Sequence, residues 1–324
     1  MTETPCDIAV LGAGAFGTAL AIALSRPGCR VALWARDAEQ VEHMARTRRA
    51  PRLPAAEIPP EIEVTGDMAR ASRAAILLLA VPMTALPKLL ADPAPFDGRI
   101  LVAACKGIDV ETGLGPVGLV ARHVPQAMPA ILTGPSFAID IARGLPTALT
   151  LACADPEAAR RLQKTLSRPA LRLYRTTDTA GAELGGALKN VMALAAGIAI
   201  GAGLGDSARA ATITRGFAEM RRLAKHRGAR PGTLSGLSGL GDLILTATSE
   251  TSRNFSAGLA LGRGERPDPS RTVEGVATAR AVARLAQSEG LDMPLTVTVA
   301  RLIDGELTLE RAVEMLLSRP LKKE

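Results

Sequence analysis

The sequence predicts an α/β domain with a mainly parallel sheet, followed by an all-α domain. Short apolar runs alternate with amphipathic stretches through roughly the first 180 residues, a rhythm typical of strand–helix–strand units. The continuous run AAILLLAV suits a strand that is buried on both faces. After Thr179 helical patterns dominate and no strong strand pattern remains. We therefore predict two domains, residues 1–179 and 180–324, and the chain is long enough for both.

The elements follow from these patterns in order. We predict strands at residues 7–11, 30–35, 61–65, 74–81, 99–104, 130–133, 146–152 and 171–175. Helices of the second domain are predicted at residues 180–204, 206–227, 232–247, 253–262, 272–289, 295–303 and 308–317. No internal repeat or low-complexity tail interrupts this order.

Composition excludes several classes of function. Although the net charge is +7, aromatic residues make up only 2% of the chain, so few side chains could stack on bases, and we expect no nucleic-acid partner. The basic clusters at 46–49 and 221–230 are interpreted as solvated helix faces, and a positive balance also attracts a small anionic substrate.

No membrane segment, secretory leader or metal site is predicted. The longest uncharged run, residues 8–25, has 18 residues and is broken by glycines, so it is short of the roughly 20 apolar residues needed to span a bilayer. The first residues, MTETPCDIAVLG, carry Asp and Glu and lead directly into a strand, so we expect a cytoplasmic protein without membrane insertion. The four cysteines are scattered and lack nearby histidines, so we predict reduced thiols and no metal.

The stretch DIAVLGAGAFGTALAIAL predicts a dinucleotide-binding, Rossmann-type start to the chain. A strand leads into Gly12-x-Gly14-x-x-Gly17, and a helix follows. In such a motif Gly12 permits a tight turn, Gly14 lets the backbone approach a pyrophosphate, and Gly17 lets helix and strand pack closely. The alternative is a glycine-rich turn of another α/β protein.

The end of the second strand bears on the choice of nucleotide. Sites selective for NAD usually place an acid there for the ribose hydroxyls, whereas here Arg36 precedes Asp37. Arg36 is suited to the 2′-phosphate of NADP. It could instead be a solvated arginine at a helix start.

Lysine is the best remaining candidate for proton transfer, since all three histidines lie in polar helical contexts. Lys106 follows a strand at its carboxyl end, where ligands of open α/β sheets bind. Gly134 and Ser136 follow another strand and are expected in the same region. Chemistry at the carboxyl ends of these strands would therefore involve Lys106.

Lys189 is the second such lysine, in the otherwise small and apolar stretch ELGGALKNVMALAAG. Gly185 and Gly186 precede it by four and three positions on one helix face, and we expect them to form a floor on which a ligand lies against the ammonium. The alternative is a lysine that reaches solvent along the helix. Asn190 adds a polar group without an obvious structural use.

The stretch GLSGLGDLILTATSETSRNFSAG carries the remaining candidates. Asp242 stands among glycines and aliphatic residues, and a buried carboxylate needs a cationic partner. Ser252, Arg253 and Asn254 stand at a predicted helix start, where the forked donors of arginine suit a phosphate. A surface helix cap would explain the same three residues.

Taken together these segments resemble the bacterial type of NAD(P)-dependent glycerol-3-phosphate dehydrogenase along nearly the whole chain. The matching stretches are GAGAFGTALA, CKGI, GPSFA, GLPTA, ELGGALKNV, ITRGFAEM, GLGDLILT, SRN and VEG. The resemblance implies a Rossmann domain and a helical domain. It also implies reduction of dihydroxyacetone phosphate to sn-glycerol 3-phosphate with NADPH or NADH, for phospholipid synthesis. A homodimer is expected from the resemblance alone.

The resemblance also implies roles for individual residues. The catalytic lysine of the family corresponds to Lys189 and its second active-site lysine to Lys106, with Asp242 beside them. The implied substrate contacts are Lys106, Gly134, Ser136, Lys189, Asn190, Asp242, Ser252, Arg253 and Asn254. The implied cofactor contacts are Gly12, Gly14, Ala15, Phe16, Gly17, Arg36, Lys106, Ala138, Arg253, Thr272 and Glu274. Met83, where the family often has Ser, and the run AIGAGLGDSAR depart from the pattern.

These assignments explain why a lysine occurs in the apolar stretch. Arginine does not readily release a proton, whereas lysine does where its surroundings lower its pKa. Lys189 would donate a proton to the C2 oxygen, oriented by Asp242 and Asn190. Lys106 would add positive charge near the developing alkoxide, and Arg253 with Asn254 would hold the phosphate.

Two other functions remain open from the residues. A β-hydroxyacid or 6-phosphogluconate-type dehydrogenase also joins a Rossmann domain to helices bearing Lys and Asn, although there the Asn usually follows several residues after the Lys. The second is a nucleotide-binding regulator without catalytic activity. Loss of Lys106, Lys189 or Asp242 would favour the regulator, and all three are present.

Overall fold

The computed structural model describes residues 6–268 and 273–317. The chain divides into two compact units. The first unit comprises the residues up to Lys106 together with Leu114–Glu183, and the second comprises Gly107–Gly113 together with the residues from Leu184 onward.

The first unit contains all the strands of the described chain. They are β1 (Cys6–Leu11), β2 (Cys29–Trp34), β3 (Arg49–Ala50), β4 (Leu53–Glu57), β5 (Ile62–Thr65), β6 (Ile76–Leu79), β7 (Ile100–Ala103), β8 (Met128–Thr133), β9 (Thr147–Cys153) and β10 (Leu171–Thr176). Its helices are α1 (Ala15–Leu24), α2 (Ala38–Thr47), α3 (Met68–Ala71), α4 (Leu86–Leu89), α5 (Pro116–His123), α6 (Ala138–Ala142) and α7 (Pro156–Leu166).

Eight of these strands form one sheet in the order β10-β9-β8-β7-β6-β1-β2-β5. All neighbours are parallel except β8 and β9, which pair antiparallel with Ala130 opposite Cys153. The predicted α/β fold with a mainly parallel sheet is therefore confirmed, and each predicted strand overlaps one strand of this sheet. The hairpin of β3 and β4 was not predicted, because its sequence RAPRLPAAE has prolines and charges in place of an apolar alternation.

The core of the first unit lies on both faces of the sheet. The central strand β6 is buried at every position, as its continuous apolar sequence predicts for a strand covered on both sides. Ile8, Val10 and Leu78 pack in the core on one face, and Ala9, Leu11 and Leu77 pack in the core on the other. This alternation follows from the two-residue period of a strand.

The second unit is helical. Its helices are α8 (Thr179–Gly201, which begins in the first unit), α9 (Gly205–His226), α10 (Pro231–Ser235), α11 (Asp242–Ala247), α12 (Arg253–Gly262), α13 (Glu274–Glu289), α14 (Pro294–Ile303) and α15 (Leu309–Leu317). The predicted helix 232–247 is wrong as a single element. It forms α10, a π-helical turn at Leu237–Gly241 and α11. A Cβ on Gly239 would lie 2.0 Å from the Leu234 carbonyl oxygen, so the chain folds back more tightly here than a continuous helix allows.

Helix α8 is the central helix of this unit. Within the described chain it alone is long and apolar enough to cross a bilayer, with a hydropathy of 1.5, yet 89% of that stretch is buried inside the protein. Its glycines explain much of that burial. A Cβ on Gly197 would lie 2.2 Å from the Phe255 carbonyl oxygen, and one on Gly201 would lie 2.2 Å from that of Leu259. Helices α8 and α12 therefore pack backbone to backbone.

The cysteines depart from expectation at one position. Cys105 and Cys153 are buried free thiols, and burial raises the pKa of the Cys153 thiol, which keeps it unreactive. Cys29, however, is disulfide-bonded, so the prediction of four reduced thiols is wrong there. The scattered spacing of the cysteines in the sequence gave no sign of this bond.

Candidate active site

The loop between β1 and α1 has the geometry that its three glycines predict. Gly12 has a φ of 121°, and a Cβ there would lie 2.7 Å from the Ala80 carbonyl oxygen. A Cβ on Gly17 would lie 2.0 Å from the Gly12 carbonyl oxygen. Gly12 and Gly17 are thus required by close packing within the protein.

Gly14 is different, because no atom lies within 4 Å of where its Cβ would be. It precedes α1, and no side chain caps that helix, so the backbone N–H groups at Ala15 and Phe16 begin the helix without a side-chain acceptor. Open space beside uncapped N–H groups fits the pyrophosphate of a dinucleotide. This fit is independent of the sequence motif.

Arg36 and Asp37, which lie just after β2, have different roles. Asp37 caps α2, since its carboxylate accepts hydrogen bonds from the backbone N–H groups of Glu39 at 3.0 Å and Gln40 at 3.5 Å. Arg36 is exposed and has no ion pair within the described part of the chain. Its guanidinium is therefore available to an anionic group of a ligand.

The carboxyl ends of β7 and β8 bring Lys106, Gly134 and Ser136 together, as predicted. Lys106 Nζ donates to the Gly134 carbonyl oxygen at 3.3 Å, and Ser136 Oγ donates to the same oxygen at 3.2 Å. Gly134 has a φ of 141°, and its site lies against the backbone of Leu149. Ala138 begins α6 four residues later. The ammonium, the hydroxyl and a helix start thus lie in one small region of the first unit.

Lys189 forms a buried ion pair in the second unit. Its Nζ lies 3.0 Å from Asp242 Oδ1, with side-chain exposures of 10% and 1%. Every other ion pair identified among the described residues has a more exposed partner. The alternative that Lys189 reaches solvent is therefore wrong. The carboxylate stabilises the protonated lysine in a place from which water is largely excluded.

Thr246 completes this cluster, and the sequence reasoning missed it. Lys189 Nζ donates to Thr246 Oγ1 at 2.7 Å, and that hydroxyl donates to Asp242 Oδ1 at 3.2 Å. The available signal was spacing, since residues four apart on a helix share one face. With two acceptors in fixed places, the ammonium has a defined position and direction.

Gly185, the first of the two glycines before Lys189, has a different role from the one predicted. A Cβ on Gly185 would lie 2.5 Å from the Ser238 carbonyl oxygen and 3.1 Å from Gly239 Cα. Gly185 therefore lets α8 pack against the π-helical turn that precedes Asp242, and it does not form a floor for a ligand. This close packing brings the helix of Lys189 to the helix of Asp242 and Thr246.

A second polar network lies beside the first in the same unit. Asn190 Nδ2 donates to Glu274 Oε2 at 3.1 Å, and Asn190 Oδ1 accepts from Asn254 Nδ2 at 3.0 Å. Asn254 Oδ1 in turn accepts from the Gly275 N–H at 2.8 Å. The expectation that Asn190 orients Lys189 is wrong, because successive residues of a helix point in different directions. Asn190 instead links the starts of α12 and α13.

The start of α12 presents Arg253. Ser252 caps this helix by accepting from the Phe255 N–H at 3.3 Å, and both Ser252 and Asn254 are buried, so the surface-cap alternative does not describe them. The Arg253 side chain is 50% exposed, with one guanidinium nitrogen 3.7 Å from Glu274 Oε1. Arg253 is thus held loosely by a carboxylate and keeps donors for a ligand.

The predicted residues therefore fall into two groups, one in each unit. Thr272 lies outside the described residues. Among the residues that the structure describes, no cluster of His, Cys, Asp and Glu is arranged to hold a metal ion.

Comparison with known proteins identifies the family. The model of the NAD-dependent glycerol-3-phosphate dehydrogenase N-terminus matches residues 7–159, and that of the C-terminus matches residues 178–314. The chain belongs to this family. Glycerol-3-phosphate dehydrogenases [NAD(P)+] of Cereibacter sphaeroides and a Ruegeria species are 60% and 58% identical to it. Each alignment covers 98% of this chain and all of the relative.

Solved structures agree with that assignment. The glycerol-3-phosphate dehydrogenase of Coxiella burnetii matches with a TM-score of 0.92 and 35% identity, over 98% of this chain and all of that one. A D-mandelate dehydrogenase with NADH matches with a TM-score of 0.61 at 16% identity, which shows a shared fold alone. This family member is therefore an NAD(P)-dependent oxidoreductase, and the predicted family, fold class and enzyme class are confirmed. The hydroxyacid-dehydrogenase and silent-regulator readings are not supported.

Proposed function

We propose that the protein catalyses the reversible, NAD(P)H-dependent reduction of dihydroxyacetone phosphate to sn-glycerol 3-phosphate. The observation that carries this proposal is the buried Lys189–Asp242 pair, in a chain of the glycerol-3-phosphate dehydrogenase family. Ketone reduction needs a proton donor held where water is excluded, and this pair supplies one.

The chemistry divides between the ligand and the protein. The nicotinamide, when bound, supplies a hydride to C2. Lys189 holds the proton that the C2 oxygen acquires and donates it as the alkoxide forms. Asp242 and Thr246 hold the ammonium in place through contacts of 3.0 and 2.7 Å. In the reverse direction the neutral lysine accepts the hydroxyl proton.

Lys106 is proposed to supply positive charge near the same oxygen. Its ammonium donates to the Gly134 carbonyl oxygen at 3.3 Å, which holds the charged end of the side chain at the carboxyl ends of the strands. Preorganised charge of this kind stabilises a developing alkoxide more than the neutral ketone. Gly134 and Ser136 would contact the substrate in the same region.

The phosphate is proposed to bind at the start of α12. Arg253 can form two parallel hydrogen bonds with phosphate oxygens, and Asn254 and Ser252 extend the polar surface. Asn190 would contact the substrate from the adjoining network. The Arg253–Glu274 distance of 3.7 Å describes a loose pair that a doubly charged phosphate can replace.

For the cofactor we propose contacts with the glycine loop and its flanking helix starts. Gly14 and the N–H groups of α1 would hold the pyrophosphate, and exposed Arg36 would bind the 2′-phosphate of NADP. The remaining proposed contacts are Gly12, Ala15, Phe16, Gly17, Lys106, Ala138, Arg253, Thr272 and Glu274.

In the cell we propose a cytoplasmic homodimer that supplies glycerol 3-phosphate for phospholipid synthesis. Its partner is a small phosphorylated triose, with no nucleic-acid partner and no membrane insertion. The net charge of +7 would favour encounter with such an anion.

A substrate panel tests the proposed reaction. Oxidation of NADPH is followed by absorbance with dihydroxyacetone phosphate, unphosphorylated dihydroxyacetone and a 2-oxo acid, and NADP⁺ reduction is followed with 6-phosphogluconate. Of these four compounds, we expect only dihydroxyacetone phosphate to be turned over efficiently. Faster turnover of the oxo acid or of 6-phosphogluconate would overturn the proposal.

A further inference from the structure

A cavity of about 430 Å³ lies in the first unit, and none of the residues assigned above lines it. The last turn of α1, the end of α6 with the segment leading to β9, and the turn between α7 and β10 surround it. Its volume falls within the roughly 300–1,000 Å³ typical of ligand pockets. The mechanism gives this cavity no role.

The wall of the cavity is largely apolar. Its lining includes Ile22, Ala23, Ile141, Ala142 and Leu171. Leu145 also contributes, and this residue is 46% exposed, unlike most large apolar residues of this unit. An aliphatic or similar apolar group could cover this surface and remove it from water.

Two arginines, Arg26 and Arg168, line the same cavity. Arg168 donates to the carbonyl oxygens of Leu24, Thr165 and Ser167 at 2.9, 2.7 and 2.8 Å, which are all uncharged acceptors. Neither arginine forms an ion pair with a carboxylate within the described ranges 6–268 and 273–317. Both positive charges therefore lack a compensating carboxylate among the residues that the structure describes.

The two charges also affect one another. Burial, and then the charge of Arg26, lower the pKa of Arg168 to about 10, so that side chain is still protonated at neutral pH. In addition, Arg168 Nε is buried without a hydrogen-bond partner among the described residues. A half-buried arginine beside a second, exposed arginine is stabilised by an anion that contacts both.

We propose that this cavity is a second ligand site, which binds a small organic anion. A carboxylate or phosphate head would lie against Arg26 and Arg168, and an aliphatic body would lie on the apolar wall. Guanidinium groups match both head groups through paired hydrogen bonds. The site is built entirely from the first unit and does not depend on the proposed reaction.

Titration calorimetry of the full chain with octanoate, octyl phosphate and 1-octanol tests the proposal. We expect saturable binding of at least one of the two anions at one site per chain, and the tighter of them identifies the head group. Octanol, which has the same body without the charge, should bind at least about 10-fold more weakly if the arginines recognise the head. Absence of saturable binding for both anions, or equal binding of octanol, would overturn the proposal.

Three variants test whether the anion binds in this cavity. Arg26→Ala removes an exposed side chain and should weaken anion binding about 10-fold or more without affecting folding. Ala142→Phe fills part of the cavity and should reduce binding further, with thermal unfolding as the check on its fold. Arg160→Ala, an exposed arginine of α7 outside the cavity, is the matched control. Undiminished anion binding by Arg26→Ala, or an equal loss in Arg160→Ala, would contradict the proposed site.

Discussion

Lys189 Nζ lies 3.0 Å from Asp242 Oδ1, and both side chains are almost completely buried. The pair joins α8 to α11, which the backbone contact at Gly185 brings close together. A single buried pair of opposite charge contributes little to stability, because desolvation offsets most of the Coulombic attraction. Its position is better explained by chemistry, since it holds a protonated amine in a fixed direction.

Thr246 should act as a positioning residue for that amine. Thr246→Val keeps the shape but removes the hydroxyl 2.7 Å from Lys189 Nζ. Because hydrogen bonds to charged groups contribute about 1.5–3 kcal/mol, we expect kcat to fall roughly 10-fold or more with little change in KM for dihydroxyacetone phosphate. Thr246→Ser should restore most of the rate. Thr298→Val, another buried threonine, is the control, and an equal loss there would remove the specific role of Thr246.

Arg36 should decide the use of NADPH. Arg36→Ala removes an exposed guanidinium that would pair with the 2′-phosphate, so KM for NADPH should rise about 10–100-fold. KM for NADH should change little. Arg46→Ala, an exposed arginine of α2, is the control for net charge. Equal effects of Arg36→Ala on the two cofactors would show that Arg36 does not contact the 2′-phosphate.

Arg253 should contribute to binding of the substrate phosphate. We expect Arg253→Ala to lower kcat/KM for dihydroxyacetone phosphate by a factor that corresponds to about 2 kcal/mol of lost transition-state stabilisation. This is the lower end of the range for truncating one partner of a charge pair, because the Arg253 side chain is half-exposed. The loss should nearly vanish with unphosphorylated dihydroxyacetone. Arg263→Ala, at the other end of α12, should have little effect on either substrate. A similar fold-loss on both substrates would mean that Arg253 acts elsewhere, for example on the cofactor.

Glu183 should make stability depend on pH. Its carboxylate accepts from the Val117 N–H at 2.6 Å at the start of α5, yet burial raises the pKa of Glu183 from 4.5 to about 7. The folded state therefore binds a proton more tightly than the unfolded state. The resulting stabilisation is full below about pH 4.5 and is lost as the pH rises through about 7.

Glu183→Gln removes this titration. Between pH 5 and pH 8 the free energy of unfolding of the natural protein should fall relative to the variant by up to about 3 kcal/mol, as the shift in pKa requires. Urea unfolding at the two pH values measures it, and Glu42→Gln on the exposed face of α2 is the control. A difference between the natural protein and Glu183→Gln that is the same at both pH values would contradict the assignment.

Much of the fold followed from local patterns. The strands of the sheet coincide with apolar runs in the sequence. The spacing of the three glycines between β1 and α1 is typical of only a few loop geometries, and the structure has one of them. Lys189 was recognisable because a charged residue in a long apolar helix needs a reason. The sequence also predicted that Asp242 has a cationic partner, since a buried carboxylate requires one, but it did not specify Lys189 as that partner.

The remaining features depend on contacts between distant segments. Thr246 is one of many threonines, and its role appears only where α8 meets α11. From the sequence, Gly185 could either leave space for a ligand or allow close packing of two segments. Only the position of the Ser238 carbonyl oxygen in the structure decides between these two roles. Glu183 bonds to a backbone group 66 residues away, which no local pattern indicates. The cavity with Arg26 and Arg168 likewise combines segments about 140 residues apart, a separation that hydrophobic periodicity does not address.

Turnover of Lys189→Arg tests the central claim most directly. Arginine keeps the positive charge but has no readily transferable proton, and its planar head group cannot reproduce the contacts of the ammonium with Asp242 and Thr246 unchanged. We expect kcat to fall by about 10²–10⁴ in both Lys189→Arg and Lys189→Met, the usual range for loss of a general acid. NADPH affinity, measured by fluorescence titration, should change little, and thermal unfolding checks that both variants fold. Near-normal turnover of Lys189→Arg would contradict the claim, because charge alone would then suffice and the proton would have to come from Lys106 or a bound water.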